Sequence, residues 1–294
     1  MTVSYQATLI IPTLNRKESL LNTLRSLSGS LPPDTEVLVV DQSSSKDRGL
    51  LAEIEATLPV ARYFHHEHVG LPAARNFGVA QSKAEIVAFC DDDVEVAEGF
   101  LRAHLENYQD ARIGAVVGRV LGVESEPGKR LAKATGRISR WSGNQTDNFD
   151  SLIKQEVDHG QGCNFSFRRK VLQQIGGFDC RFAGSAFLED ADACLRVKKA
   201  GYKVLFEPEA TLTHYKNQTG GCRLNKPEHW YYWYGHNFVL LFLKNYSRLS
   251  LPFFLFYRFG NILRGALVHS NANILRLGLL GMLNGYHSYK NGKI

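Results

Sequence analysis

The chain has 294 residues, enough for one large domain, or one domain with an appendage, and for a core that needs no disulfide or metal staples. Hydrophobic residues at 44 % and charged residues at 22 % are ordinary globular usage, which excludes wholesale disorder. The net charge of +6 suits anionic partners; without a long Lys/Arg run or an aromatic–basic array in the first 220 residues, nucleic acid is not an expected one.

Residues 7–13 (ATLIIPT) read as a short buried strand. Asn15 and Glu18 follow at capping-box spacing, and Leu20, Leu21, Leu24 and Leu27 recur at helical period. A second buried strand spans 36–41 (EVLVVD), and Leu50, Leu51, Ile54 and Leu58 mark an amphipathic helix. A third strand covers 60–64. Gly70 and Pro72 open a helix through Ala73, Ala74 and Phe77. A fourth strand, 85–90 (EIVAFC), runs directly into Asp91-Asp92-Asp93. Strand and helix thus alternate four times, and the strands are continuous apolar runs. That pattern predicts an α/β fold with a parallel sheet covered on both faces. Ligands bind beyond the carboxyl ends of such strands, where Asp41 and the 91–93 triplet fall.

Phe100, Leu101, His104, Leu105 and Tyr108 predict a further helix, followed by a strand over 114–121. Residues 122–150 are polar and rich in Gly, Ser and Asn, and read as a long loop. Structure returns with GCNFSFRR, a short helix to Ile175 and a Gly176-Gly177 turn. A helix over 188–200 carries acids at its start and Arg196, Lys198 and Lys199 near its end. Strand pieces follow at 203–206 and 210–215. From about residue 226 the chain is aromatic and apolar with scattered basic residues. Arg258 and Arg264 interrupt the best spanning candidate, so the expectation is helices that lie on a membrane surface or pack on the domain.

Five cysteines (Cys90, Cys163, Cys180, Cys194 and Cys222) include no Cys-x-x-Cys pair, which argues against a structural zinc site. An odd, scattered set suits reduced thiols and a cytoplasmic setting. No basic stretch followed by a long apolar run opens the sequence, so no signal peptide is expected.

Asp91 and Asp93 stand at i and i+2 where a buried strand ends, and such paired carboxylates suit Mg2+ or Mn2+ together with phosphate oxygens. An acidic triplet alone reads equally as a helix cap; the preceding strand and the ligand-end position favour chemistry. Asp41 can accept hydrogen bonds from a base or ribose, or cap its own turn. Glu189-Asp190 can take a proton from an attacking hydroxyl, or cap a helix. His214 is a structural histidine or a further metal ligand. His65, His66 and His68 are spaced to spread their rings, against a metal cluster. Arg75 is an exposed helix residue or a phosphate or base partner.

Together these stretches resemble glycosyltransferase family 2, with the GT-A fold, a rhamnosyltransferase or a related surface-glycan member. The matching segments are TLIIPTLNR, VLVVDQSSS, GLPAARNFGVAQSKAEIVAFCDDDVEV, GCNFSFRRKVLQQIGGFD and LEDADACLRVKKAGYKVLFEPEATLTHY, in the family's order over about residues 7–215. One departure stands out: Asp41-Gln42-Ser43-Ser44 replaces a common Asp-Asp-Gly-Ser. The resemblance implies a nucleoside site lined by Pro12, Thr13 and Asp41 and helped by Arg75. It implies an Asp-x-Asp motif in which Asp91 lies nearer the ribose, Asp92 belongs to the nucleotide site and Asp93 holds Mn2+ or Mg2+ and diphosphate. Asp190 would be the base, with Glu189 in the same motif; His214 would join the metal site; Gly162, Cys163 and Asn164 would lie near donor sugar or acceptor. Residues 1–225 would form the GT-A catalytic domain and 226–294 a C-terminal helical region.

The expected activity is inverting, metal-dependent transfer of a hexosyl or deoxyhexosyl group from a UDP, dTDP or GDP sugar. The acceptor would be the hydroxyl of a glycan or lipid-linked acceptor in polysaccharide or glycolipid biosynthesis. The expected place is the cytoplasm, at the inner face of the plasma membrane, with a peripheral membrane contact. Two rivals are a non-catalytic nucleotide-sugar or glycan-binding module and a sugar-nucleotide nucleotidyltransferase. The latter needs a Gly-rich phosphate loop early in the chain, and IPTLNRKESL has none.

Overall fold

A computed structural model describes residues 5–44, 48–123, 134–217, 219–224 and 226–292. Strands β1 (Ala7–Thr13), β2 (Thr35–Asp41), β3 (Ala61–His65) and β4 (Ile86–Cys90) pair in parallel in the order β3-β2-β1-β4. Every residue of β1, β2 and β4 is buried, which is why their sequences are continuous rather than alternating apolar runs. The crossovers contain α1 (Lys17–Leu27), α2 (Arg48–Thr57) and α3 (Leu71–Gln81). α1 lays Leu20, Leu21, Leu24 and Leu27 into the core. The capping box expected from Asn15 and Glu18 does not form. Arg16 occupies the cap without a side-chain bond, and Asn15 is left-handed at φ 55°. The reason lies in the acids beyond β4, which draw the Arg16 side chain toward themselves.

The chain continues through β5 (Val94–Val96), α4 (Phe100–Glu106) and β6 (Ile113–Gly122). Part of the expected 122–150 loop is a small antiparallel hairpin of β7 (Arg137–Ile138) and β8 (Gln145–Thr146); residues 124–133 of that loop lie outside the described residues. β9 (Gln155–Glu156) joins the main sheet, and β10 (Asn164–Arg168) leads into α5 (Arg169–Gln174) and α6 (Glu189–Lys199). The two strand pieces expected after α6 are one strand, β11 (Lys203–His214). Its register with β6 slips between Glu207 and Thr211, around Pro208, which has no N–H to give the ladder.

The sheet runs β3-β2-β1-β4-β10-β6-β11-β5, with β9 on β11. It is mostly parallel, but β10 lies antiparallel between β4 and β6. A strand that enters from the carboxyl end of the sheet, as β10 does, must run back against its neighbours.

Helices α7 (Pro227–Asn245), α8 (Leu251–Val268) and α9 (Ala272–Asn291) complete the fold. α7 and α9 approach to backbone contact. A Cβ on Gly281 would stand 2.0 Å from the Tyr232 carbonyl oxygen, and one on Gly285 2.4 Å from that of His236. Glycine at these positions allows this spacing because it has no side chain to accommodate. The three helices share an apolar cluster with Leu188 and Ala191, which flank the start of α6. Among the described residues no helix is long and apolar enough to cross a membrane.

Candidate active site

β1 and β2 end side by side, with Thr13 opposite Asp41, and β4 ends beside them at the acid triplet. β11 returns antiparallel to β5, pairing His214 with Val94, so the imidazole arrives next to the same acids. The three carboxylates then take different directions. Asp92 turns inward: it accepts from Thr13 Oγ1 at 2.7 Å and Arg16 Nη1 at 3.0 Å. Burial raises its pKa to about 6 against the pull of those partners. Asp93 accepts the Asn217 N–H at 2.9 Å and Arg16 Nη1 at 3.2 Å, and its Oδ1 lies 3.0 Å from His214 Nε2. Burial opposes its charge, but His214, Arg16 and Asn217 outweigh it and hold the pKa low. All three line the cleft, and Asp91 is the most open of them, its side chain 28 % exposed against 5 % for Asp92 and 1 % for Asp93.

Asp91, Cys163 and His214 bring an oxygen, a sulfur and a nitrogen within 4.8 Å of one another. Carboxylate and imidazole suit a divalent ion such as Mn2+. The thiol is a poor partner in its present state, since burial pushes its pKa well up and neighbouring carboxylates add to the effect. Asp93 also meets His214 at Nε2, 3.0 Å away, the nitrogen that lies 3.9 Å from Asp91, so two carboxylates and one imidazole nitrogen converge in a set that fits one divalent cation. The His65, His66 and His68 side chains form no such group; His66 stacks on His68 and Phe77.

The second acidic cluster opens on the same cleft. The recess lined by Asp190 and the one lined by Asp93 share Leu71, Asp91, Ser185 and His214 as walls. Asp190, the second residue of α6, accepts the Gly162 N–H at 2.9 Å and its neighbour Ala191 N–H at 2.7 Å. Burial raises its pKa, with His159 and Arg75 pulling the other way. The residues before it hold an awkward backbone: Ala186 and Leu188 have φ of 55° and 75°. Such conformations persist where their surroundings impose them. Here Asn237 of α7 donates to the Phe187 carbonyl at 2.9 Å, and Phe187 packs on Phe238.

Glu189 is turned under the site. It is buried against the Arg75 guanidinium, which also donates to the Gly162 carbonyl at 2.8 Å and stands 3.5 Å from Asp91. Burial pushes the Glu189 pKa up to about 8, outweighing Arg75, and Asp190 pushes the same way. Arg75 sits over Phe165 and Phe178 rather than on the surface.

Other expected residues divide between the cleft and the interior. Pro12 and Thr13 line the opening, and so does Gln42. Asp41 is buried, with its oxygens held by Tyr63 at 2.8 Å and Ser43 at 2.5 Å. Gly162 and Cys163 line the Asp190 recess. Asn164 does not reach it: its amide is spent on the carbonyls of Arg119 and Ala210, each at 2.8 Å, and on His104, bridging β10 to its neighbours.

Sequence reasoning did not find Arg16, Asn217 or His159. His159 lines the Asp190 recess, and its Nε2 has no hydrogen-bond partner among the described residues. Burial lowers its pKa against the attraction of Asp190 and Asp147. Its place just before GCN was the available signal. Asp192, in contrast, is structural: it accepts from Arg196, Lys244 and Asn245 and ties α6 to the end of α7.

The family model of glycosyl transferase family 2 matches residues 8–176. A pre-mycofactocin glycosyltransferase of Mycobacterium tuberculosis is 30 % identical over 215 residues, covering 70 % of this chain and 42 % of its own. The succinoglycan biosynthesis protein ExoM of Rhizobium meliloti is 28 % identical over 202 residues, covering 66 % of this chain and 62 % of its own. The chain therefore spans less than two thirds of either relative. Among solved structures, a mannosyltransferase from Pyrobaculum calidifontis in complex with GDP-Man and Mn2+ superposes with a TM-score of 0.60. It is 18 % identical and covers 100 % of this chain and 77 % of its own.

Proposed function

This chain belongs to glycosyl transferase family 2 and has the GT-A fold, and from that premise we propose that it is an inverting, metal-dependent glycosyltransferase. It moves a hexosyl or deoxyhexosyl group from a UDP, dTDP or GDP sugar to the hydroxyl of a glycan or lipid-linked acceptor, in polysaccharide or glycolipid biosynthesis. The carrying observation is that two acidic clusters, nearly a hundred positions apart in sequence, open on one cleft whose common wall is Asp91 and His214. The relatives' activities and the neighbour's GDP-Man and Mn2+ support the donor class and a divalent ion.

In this reading Pro12, Thr13 and Gln42 receive the nucleoside, with Asp41 and Asp92 fixing the strand ends around it. Asp91, Asp93 and His214 would hold Mn2+ or Mg2+. The ion, when bound, neutralises charge on the departing diphosphate. Asp190 takes the proton of the acceptor hydroxyl. The freed oxygen forms a bond to the anomeric carbon from the side opposite the diphosphate, whose bond to that carbon breaks, so the configuration inverts. The Gly162 N–H fixes the Asp190 carboxylate, and Arg75 fixes Gly162. Retention of the acids at one cleft favours catalysis over a binding module.

A thermal-shift series with UDP, dTDP and GDP, each with and without Mn2+, tests the proposal. One nucleotide should stabilise the protein in a Mn2+-dependent way, and Asp93→Ala should remove the Mn2+ dependence. No shift with any nucleotide, or an unchanged Mn2+ titration in the variant, would count against it.

A further inference from the structure

Residues 246–294 contain no Asp or Glu, yet they carry Arg248, Arg258, Arg264, Arg276, Lys290 and Lys293. Within this stretch α8 is apolar on both sides. Phe254, Ile262 and Gly265 face inward and are buried. On the opposite side Phe253, Phe256, Phe259, Leu263 and Leu267 recur every three or four residues and are exposed, with Leu249 just ahead of them. Phe256 is 77 % exposed and Leu249 90 %. A helix that is hydrophobic all round has a non-aqueous neighbour on every side. α9 repeats the arrangement, with Leu279, Leu283 and Tyr286 exposed opposite the buried Gly278, Gly281 and Gly285.

The charge pattern selects what covers this surface. Arg248 and Arg264 are exposed beside the apolar stripe, and Arg276 is exposed on α9. A second copy of the chain would bring the same positive set against itself, with no carboxylate in the segment to answer it. A lipid surface with anionic headgroups answers both features, since the rings enter the acyl boundary and the guanidinium groups meet phosphate. We propose that α8 docks this protein on an anionic lipid surface through Leu249, Phe253 and Phe256, with Arg248, Arg264 and Arg276 as the headgroup contacts.

The inner face of α8 gives docking a consequence at the cleft. Arg258 is buried and donates to the Ser142 carbonyl at 2.6 Å and to the Tyr234 hydroxyl at 2.6 Å. Ser142 lies in the turn between β7 and β8, and Gln145 and Asp147 at its far end line the recess of Asp190. The lipid-facing helix therefore grips the hairpin that walls the acceptor side of the cleft.

Vesicle flotation tests the docking directly. The protein should float with phosphatidylcholine vesicles that contain phosphatidylglycerol and largely stay behind with phosphatidylcholine alone. Phe253→Gln with Phe256→Gln should lower partitioning roughly tenfold or more, with an unchanged melting curve because both positions are exposed. Arg248→Gln, Arg264→Gln and Arg276→Gln together should remove the preference for phosphatidylglycerol. Absence of flotation on the anionic vesicles, or undiminished flotation of the double Phe variant, overturns the proposal. So does a dimer in sedimentation velocity that the Phe variant dissociates while vesicles bind neither form. Nucleotide thermal shifts, unaffected by these changes, report separately on the transferase reading.

Discussion

Arg75 and Glu189 form an ion pair sealed beneath the cleft, 1 % and 3 % exposed at their side chains. The pair joins α3 to the first residue of α6, and through the Gly162 carbonyl the same guanidinium reaches the turn that holds Asp190. A charge contact far from solvent thus sets the position of the base proposed here. The buried Arg75 Nε and Glu189 Oε2 have no hydrogen-bond partners among the described residues.

Above about pH 8, where Glu189 is ionised, removing one member of this buried pair leaves the other charge uncompensated, at a cost of about 3–5 kcal/mol. Arg75→Ala should therefore lower stability by roughly that amount in urea denaturation. Arg75→Lys should recover only part of it, because an ammonium lacks the fork that serves Glu189 and Gly162 together.

Glu189 also makes stability depend on pH. Its carboxyl goes from its ordinary value of 4.5 to about 8 on folding, chiefly by burial. The folded state then holds a proton that the unfolded state has released between these values. Stability linked to this group is fully present below 4.5 and is lost as pH rises through about 8. Denaturation across this range should show wild-type stability falling with pH, and Glu189→Gln should flatten the slope. Equal slopes for the two proteins would refute the assignment.

Asp190→Asn keeps the shape and one of the two N–H contacts, to Gly162 or to Ala191, but removes the basic oxygen. Loss of a general base lowers turnover by about 10²–10⁴-fold. Transfer should fall by that order while nucleotide affinity, measured by calorimetry, changes little. Near-normal turnover would remove Asp190 from the mechanism.

Gly281→Ala tests the helical scaffold behind the site. Its Cβ would lie 2.0 Å from the Tyr232 carbonyl oxygen, so α7 and α9 must separate. Overpacking of this kind costs about 1–3 kcal/mol, and the melting temperature should drop accordingly. An unchanged melt would mean that the helices part without strain.

The sequence alone determined the layered plan. Continuous apolar strands separated by helical periods at 7–90 admit a covered parallel sheet and little else, and acids at the strand ends point to its ligand edge. The same local signals made a helix with an acidic start legible over 188–200, where the structure has Glu189–Lys199. They misread Asn15–Glu18, since a capping motif is a local preference and the acids that draw Arg16 away come from residues 92 and 93.

Only tertiary structure decided which of three adjacent aspartates is the most exposed in the cleft, because their directions are set by Thr13, Arg16, His214 and Asn217, all far away in the chain. It also placed β10 antiparallel in the middle of the sheet, buried Arg75 under Glu189 and spent Asn164 inside the sheet. Periodicity along a chain records which residues are buried. Which buried group meets which depends on contacts between distant segments, and those exist only once the chain has folded.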